Sequence, residues 1–299
     1  SGIIMKRSKT YSLAERLKIL LWSSRPVSWI NTAFPFVAGY LFVTGTTLSA
    51  EFWVATLYFL IPYNMLIYVI NDVYDYESDM RNPRKGGVEG AILPKALHPF
   101  MLRATVAINI PFVAFLLLTG GFSRNVLFVL CVLDALAYSM PPARLKERPV
   151  LDSISSSFHF VSPLLFALVW LGWSSSYALY AVAFFAWGMA SHAFGAVQDI
   201  LPDRAAGLRS IATHLGAKGT VRFSYLLYVC ACALVILRGW PSLLVGLVGV
   251  IYLLILAPYL HITDEQSATT NRGWKYFMQA NQLLGFCVTI LLILKLTSK

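Results

Sequence analysis

Nine runs of roughly twenty apolar residues, each fenced by a charged or turn-rich segment, leave this chain few ways to fold. They fall near 27–48, 51–70, 99–120, 124–140, 153–174, 177–198, 221–238, 241–260 and 276–296. About 20 residues of α-helix cross the hydrocarbon core of a bilayer. A backbone in lipid must satisfy its own hydrogen bonds, so each run is expected to be helical. Composition agrees: 58% of the 299 residues are hydrophobic and only 13% charged, against about 45–50% and about 25% in soluble domains. The expected fold is an all-α polytopic membrane protein with nine transmembrane helices. Residues 1–4 precede Met5 and read as an extraneous leader. Residues 5–26 read as a cytoplasmic segment, and 27–299 as one transmembrane domain of two four-helix pseudo-repeats plus a ninth helix.

The net charge of +10 could indicate nucleic acid, but its placement indicates topology. Twenty of the 24 Lys and Arg residues lie before the first run or in the loops after the second, fourth, sixth and eighth. Such bias marks the cytoplasmic side, which puts the N-terminus inside and the C-terminus opposite. Twelve of the 14 acidic residues share that side, so the polar chemistry is expected there and no nucleic-acid partner is. Residues 8–20 carry Leu13, Leu17 and Leu20 on one helical face, which fits either a helix lying on the membrane surface or a solvated lead-in. The four cysteines sit in apolar runs without a CxxC pair and read as small buried hydrophobes.

Two acidic clusters stand out on the charged side. One reads Asn71-Asp72-Val73-Tyr74-Asp75-Tyr76-Glu77-Ser78-Asp79, the other Gln198-Asp199-Ile200-Leu201-Pro202-Asp203. Spacings of three and four place carboxylates on one helical face, where like charges repel and call for a cation between them. Five or six converging carboxylates exceed what nearby arginines neutralise, and Mg²⁺ is commonly held by carboxylates together with substrate phosphates. The expected metal ligands are Asn71, Asp72, Asp75, Asp79, Asp199 and Asp203, gripping Mg²⁺ around a diphosphate. Arg84, Lys85, Arg144, Lys146, Arg204 and Arg209 lie near the clusters as phosphate-binding candidates. Alone, each of these basic residues fits an ordinary positive-inside role about as well, Lys85 and Lys146 less so.

The pattern NDxxDxxxD at Asn71–Asp79, DxxxD at Asp199–Asp203, the run Tyr138-Ser-Met-Pro-Pro-Ala-Arg-Leu-Lys146 and Gly207-Leu-Arg-Ser-Ile-Ala212 resemble the UbiA superfamily of intramembrane prenyltransferases. The resemblance spans essentially the whole chain. It implies a nine-helix bundle with a cytoplasmic-side active site, Mg²⁺ dependence and a prenyl diphosphate donor. It would give Lys85, Arg144, Lys146 and Arg209 contacts to phosphate oxygens and set Tyr138 near the reacting carbon. Within the superfamily, residues 71–90 resemble bacterial lycopene elongases. That implies dimethylallyl diphosphate as donor, lycopene as acceptor and a bacterial cell membrane as location. Aromatic-acceptor members carry Arg-Pro where this chain has Gly86-Gly87, but an aromatic or quinone-precursor acceptor stays open as the alternative.

An allylic cation would need aromatic faces, and Tyr74, Tyr138 and Phe194 are candidates, with cation–π stabilisation of up to about 2 kcal/mol when desolvated. Asp134 and Asp152 could accept the final proton or serve only in packing and capping. His159 and His192 read as satisfied core histidines. A transporter would place acids near mid-membrane, and Asp134 alone lies so deep.

Overall fold

The computed structural model describes residues 11–45, 48–80 and 92–297. Arg84 and Lys85 lie outside the described residues, as do residues 8–10 of the lead-in. Among the described residues the elements are helices joined by short turns, with no strand.

A short helix, α1 (Leu13–Ser23), opens with a capping box in which Ser12 and Glu15 satisfy each other's backbone N–H groups. Leu13, Leu17 and Leu21, spaced by four, stay exposed, whereas Leu20 is buried against Met65, Val69, Leu97 and Met101. Arg25 then takes a left-handed conformation (φ 54°) before Pro26, and the chain turns into α2 (Ile30–Thr44). The bend between the two is 56°. The following spans are α3 (Ala50–Tyr74), α5 (His98–Thr119), α6 (Phe122–Ser139), α7 (Leu151–Leu171), α8 (Ala178–Val197), α10 (Ile211–Ile236), α11 (Ser242–Leu256) and α12 (Asn271–Thr297). Two short helices, α4 (Tyr76–Asp79) and α9 (Ile200–Ala205), carry the ends of the acidic clusters.

Among the described residues eight helices are long and apolar enough to cross a membrane, and a ninth if the bent α1–α2 pair counts as one span. The first expected span, 27–48, is therefore shorter than predicted. Its helix has 15 residues, cut at one end by the Arg25–Pro26 turn and at the other by Gly45. The spans turn apolar side chains outward: Ile110, Leu118, Leu226, Leu254 and Phe286 are more than half exposed. Thr105, Asn109, Ser155, Ser157, His159 and Ser162 are buried instead. That inversion is stable in lipid, where polar groups must find partners within the protein.

Two aromatic-rich cores hold the bundle. One centres on Phe36, Phe59, Tyr63, Phe128 and Phe166, drawn from α2, α3, α6 and α7. The other centres on Phe194, Tyr228, Tyr252 and Phe277, from α8, α10, α11 and α12. Helix α7 packs against α2 and α6 on one side and α8 on the other, so it ties the cores together. Gly188 permits this closeness: a Cβ there would overlap Ser157 Oγ and lie 3.2 Å from Ser157 Cα.

Candidate active site

The acidic clusters sit where spans end. In α3 a five-residue π-helical stretch, Met65–Val69, precedes the first cluster. Such widened turns shift helical register and recur at functional sites. Helical bonding then runs from Asp75 N–H to the Asn71 carbonyl (2.9 Å) and from Asp79 N–H to the Asp75 carbonyl (2.8 Å). In the second cluster Asp203 N–H bonds the Asp199 carbonyl at 2.9 Å. Each four-residue step returns to the same face. Asn71, Asp75, Asp79, Asp199 and Asp203 accordingly line one cavity of about 290 Å³.

Tyr138, Lys146 and Arg209 line it too, with Glu147, Asp152 and His192. Tyr138 lies in the last turn of α6, and Lys146 in the short turn Leu145–Glu147 that follows. That turn is entered through Arg144 at φ 37°, a left-handed conformation costly for a residue with a side chain. It brings Lys146 Nζ into contact with Asp75. Burial pushes the Lys146 ammonium down to about 8, against the opposing pull of Glu147 and Asp72. The hydrogen bond from Arg144 holds the Glu147 carboxyl below the usual range.

Several expected site residues stand elsewhere. Asp72 is buried but is not in the cavity lining; its Oδ1 takes Arg25 Nη2 at 3.1 Å. One residue of helix is a rotation of about 100°, which takes Asp72 off the face shared by Asn71, Asp75 and Asp79. Arg144 also stands behind the lining, 3.5 Å from Asp75 and bonded to Glu147. Arg204 pairs with Asp264 at 2.6 Å and with the Thr213 carbonyl, clamping α9 to α10. Of the three aromatic candidates Tyr138 lines the cavity, while Phe194 is buried in the second core beside Tyr259.

Basic residues thus take up part of the negative charge that the sequence reading assigned to a divalent cation: Arg25 at Asp72, and Lys146 with Arg144 at Asp75. The donor set still suits Mg²⁺, being carboxylate and carboxamide oxygen throughout. Asn71 Nδ2 donates to Ser139 Oγ at 3.0 Å, which commits its amino end to protein and leaves the carbonyl oxygen for the cavity. Among the described residues no three His, Cys, Asp or Glu side chains are grouped closely enough to hold a metal unaided.

Sequence reasoning missed Arg25, counted there as one positive-inside residue among many, and Glu147. It also read His192 as a satisfied core histidine; the side chain does have partners in Ser153 and Tyr138, but it lines the cavity as well, and no local spacing links it there.

Residues 31–283 match the model of the UbiA prenyltransferase family. The chain belongs to that family. A lycopene elongase/hydratase from Corynebacterium glutamicum is 46% identical over 283 residues, covering 94% of this chain and 98% of that one. Among solved structures, a digeranylgeranylglyceryl phosphate synthase aligns with a TM-score of 0.69 at 17% identity, over 92% of this chain and 99% of that one. A UbiA homolog from Archaeoglobus fulgidus bound to GPP and Mg²⁺ aligns with a TM-score of 0.66 at 20% identity, over 90% and 98%. At such identities the two structures establish the fold. Membership in the UbiA family makes this chain an integral-membrane prenyltransferase.

Proposed function

We propose that this UbiA protein is a lycopene elongase: it ionises dimethylallyl diphosphate with Mg²⁺ and transfers the dimethylallyl group to an end of lycopene. The observation that carries the reading is the one cavity lined by Asp75 and Asp79 from the first cluster and Asp199 and Asp203 from the second. The similarity to the Corynebacterium glutamicum lycopene elongase/hydratase over nearly all of both chains supports the acceptor. The Archaeoglobus fulgidus homolog bound to DMAPP and Mg²⁺ supports donor and metal.

In this reading Asn71, Asp75, Asp79, Asp199 and Asp203 hold the metal and orient the diphosphate. Bound Mg²⁺ supplies stabilisation of the charge that develops on the leaving diphosphate. Lys146 and Arg209 contact phosphate oxygens, and Arg144 braces Asp75 from behind. Asp72, paired with Arg25, sets the angle of the cluster. The allylic C–O bond breaks with its electron pair on the diphosphate, and the Tyr138 ring faces the cation. The acceptor's terminal double bond then supplies the electrons of the new C–C bond. Bulk water is kept from the cation by the surrounding bundle. The cluster-bearing end faces the cytoplasm of a bacterial cell, as the distribution of Lys and Arg indicates.

The test incubates purified protein with dimethylallyl diphosphate, Mg²⁺ and lycopene and separates the pigments by chromatography, with 4-hydroxybenzoate as a parallel acceptor. Products with one and two added five-carbon units are expected from lycopene. Turnover of 4-hydroxybenzoate alone would replace the acceptor reading with the aromatic one.

A further inference from the structure

Joining an allylic cation to an acceptor alkene leaves a tertiary carbocation that ends by giving up a proton. The cavity's carboxylates are poorly placed to take it. Asp75, Asp79, Asp199 and Asp203 belong to the diphosphate end, and Glu147 is held by Arg144. Asp152 is fully buried, and its two oxygens accept backbone N–H groups, Oδ1 from Ser153 at 2.8 Å and Oδ2 from Ile211 at 2.7 Å. It caps α10 and pins it to α7. Asp134 is not in the lining; Ser155 Oγ donates to its Oδ1 at 2.8 Å, and His159 Nε2 lies 3.2 Å from its Oδ2.

One neutral base remains in the lining. His192 stands on α8 seven residues before Asp199, about 10 Å deeper into the bundle at helical rise. Its Nδ1 lies 3.0 Å from Ser153 Oγ and its Nε2 lies 3.3 Å from the Tyr138 hydroxyl. Tyr138 also meets His159, ring centroids 5.0 Å apart and edge to face. The ring assigned to the first cation is therefore hydrogen-bonded to an imidazole that lies deeper in the bundle than the second acidic cluster.

We propose that His192 is the proton acceptor that ends the reaction, with Ser153 holding its Nδ1 and Tyr138 joining it to the substrate. The inference rests on the prenyl-transfer reading above. With the Nδ1 proton donated to Ser153 Oγ, Nε2 keeps its lone pair. The carbon next to the tertiary cation releases its proton, and the C–H electron pair closes as a new C=C bond. The proton reaches Nε2 directly, or lands on the Tyr138 oxygen while the phenolic proton moves to Nε2. Capture of water ends on the same atom: a water lone pair forms the C–O bond and the surplus proton goes to the imidazole. An imidazole is neutral near pH 7 and exchanges protons readily, which suits it to reset between turnovers.

The test counts prenylated lycopene formed per diphosphate released, in wild-type protein and in His192→Gln. Glutamine retains a polar group near Tyr138 but cannot take up a proton. Diphosphate release is expected to continue while the yield of prenylated lycopene per diphosphate falls at least tenfold. A tertiary cation that keeps its proton reverts by breaking the new C–C bond, and the returned dimethylallyl cation is captured by water, which loses its surplus proton to solvent; the dimethylallyl alcohol so formed should make up the difference. An unchanged yield with the wild-type double-bond position would overturn the proposal. Should His192→Gln release no diphosphate, Ser153→Ala carries the test, since it leaves the imidazole in place and removes its Nδ1 partner. A yield at least threefold lower supports the relay, and an unchanged yield overturns it. Wild-type protein that couples diphosphate release to prenylated lycopene upholds the elongase reading whatever the variants do, so the two claims fail separately.

Discussion

Residue by residue, the first cluster divides by helical phase. Asn71, Asp75 and Asp79 follow one another every fourth position and share the cavity, whereas Asp72 is rotated away and meets Arg25. Identical chemistry at adjacent positions therefore carries different consequences. Asp75→Asn removes a charge from the proposed metal–diphosphate site. It should lower single-turnover prenyl transfer by about a thousandfold, the scale seen when a preorganised electrostatic group is lost. Asp72→Asn should lower the rate only about tenfold. Its main effect is on folding, because Arg25 loses a charged partner worth about 2 kcal/mol. Parallel rate measurements and thermal unfolding followed by circular dichroism check both. Equal rate losses in the two variants would return Asp72 to the ligand set. The spacing of four was legible in the sequence. The Arg25 contact was not, because 47 residues separate Arg25 from Asp72 and nothing local links them.

At the scale of elements, eight of the nine expected spans and their order could be read from hydropathy, because lipid demands long apolar helices whatever their neighbours are. Which faces meet could not. The pairing of α7 with α2 and α8, and of α8 with α10, depends on small residues whose importance shows only in three dimensions. Gly188 is one such residue. A methyl group there would overlap Ser157 Oγ, whose hydrogen bond to the Phe185 carbonyl (2.8 Å) fixes its direction, and would press on the α7 backbone. Overpacking of this kind costs about 1–3 kcal/mol. Gly188→Ala should therefore lower thermal stability and, by separating α7 from α8, loosen the Ser153–His192 contact. Ser157→Gly in the same chain should restore part of the stability. A single Gly188→Ala variant as stable as the parent would show that the interface yields more easily than this packing implies.

Taken as a whole, the molecule is sided. The carboxylates, Lys146 and Arg209 gather at one end of the bundle, while Ser123, at the start of α6, marks the other. Ser123 and Ser139, at opposite ends of α6, are separated by about 25 Å of helix at 1.5 Å per residue, close to the thickness of the hydrocarbon core. In the proposed reaction dimethylallyl diphosphate, being charged, would reach the cavity from water and lycopene from lipid, so the charged end must open to the compartment that supplies the donor. The asymmetry of Lys and Arg predicts that this end faces the cytoplasm. Cysteine labelling with a charged, membrane-impermeant maleimide tests this cleanly. Cys131 is buried, and Cys230, Cys232 and Cys287 lie within membrane-spanning helices, where such a reagent does not enter. The native thiols should thus stay silent. Glu265 and Ser123 are exposed at the two ends. Ser123→Cys should label in intact cells, and Glu265→Cys only in inside-out vesicles. The reverse pattern would turn the protein over and move the donor site to the outer face, in conflict with twenty basic residues on that side.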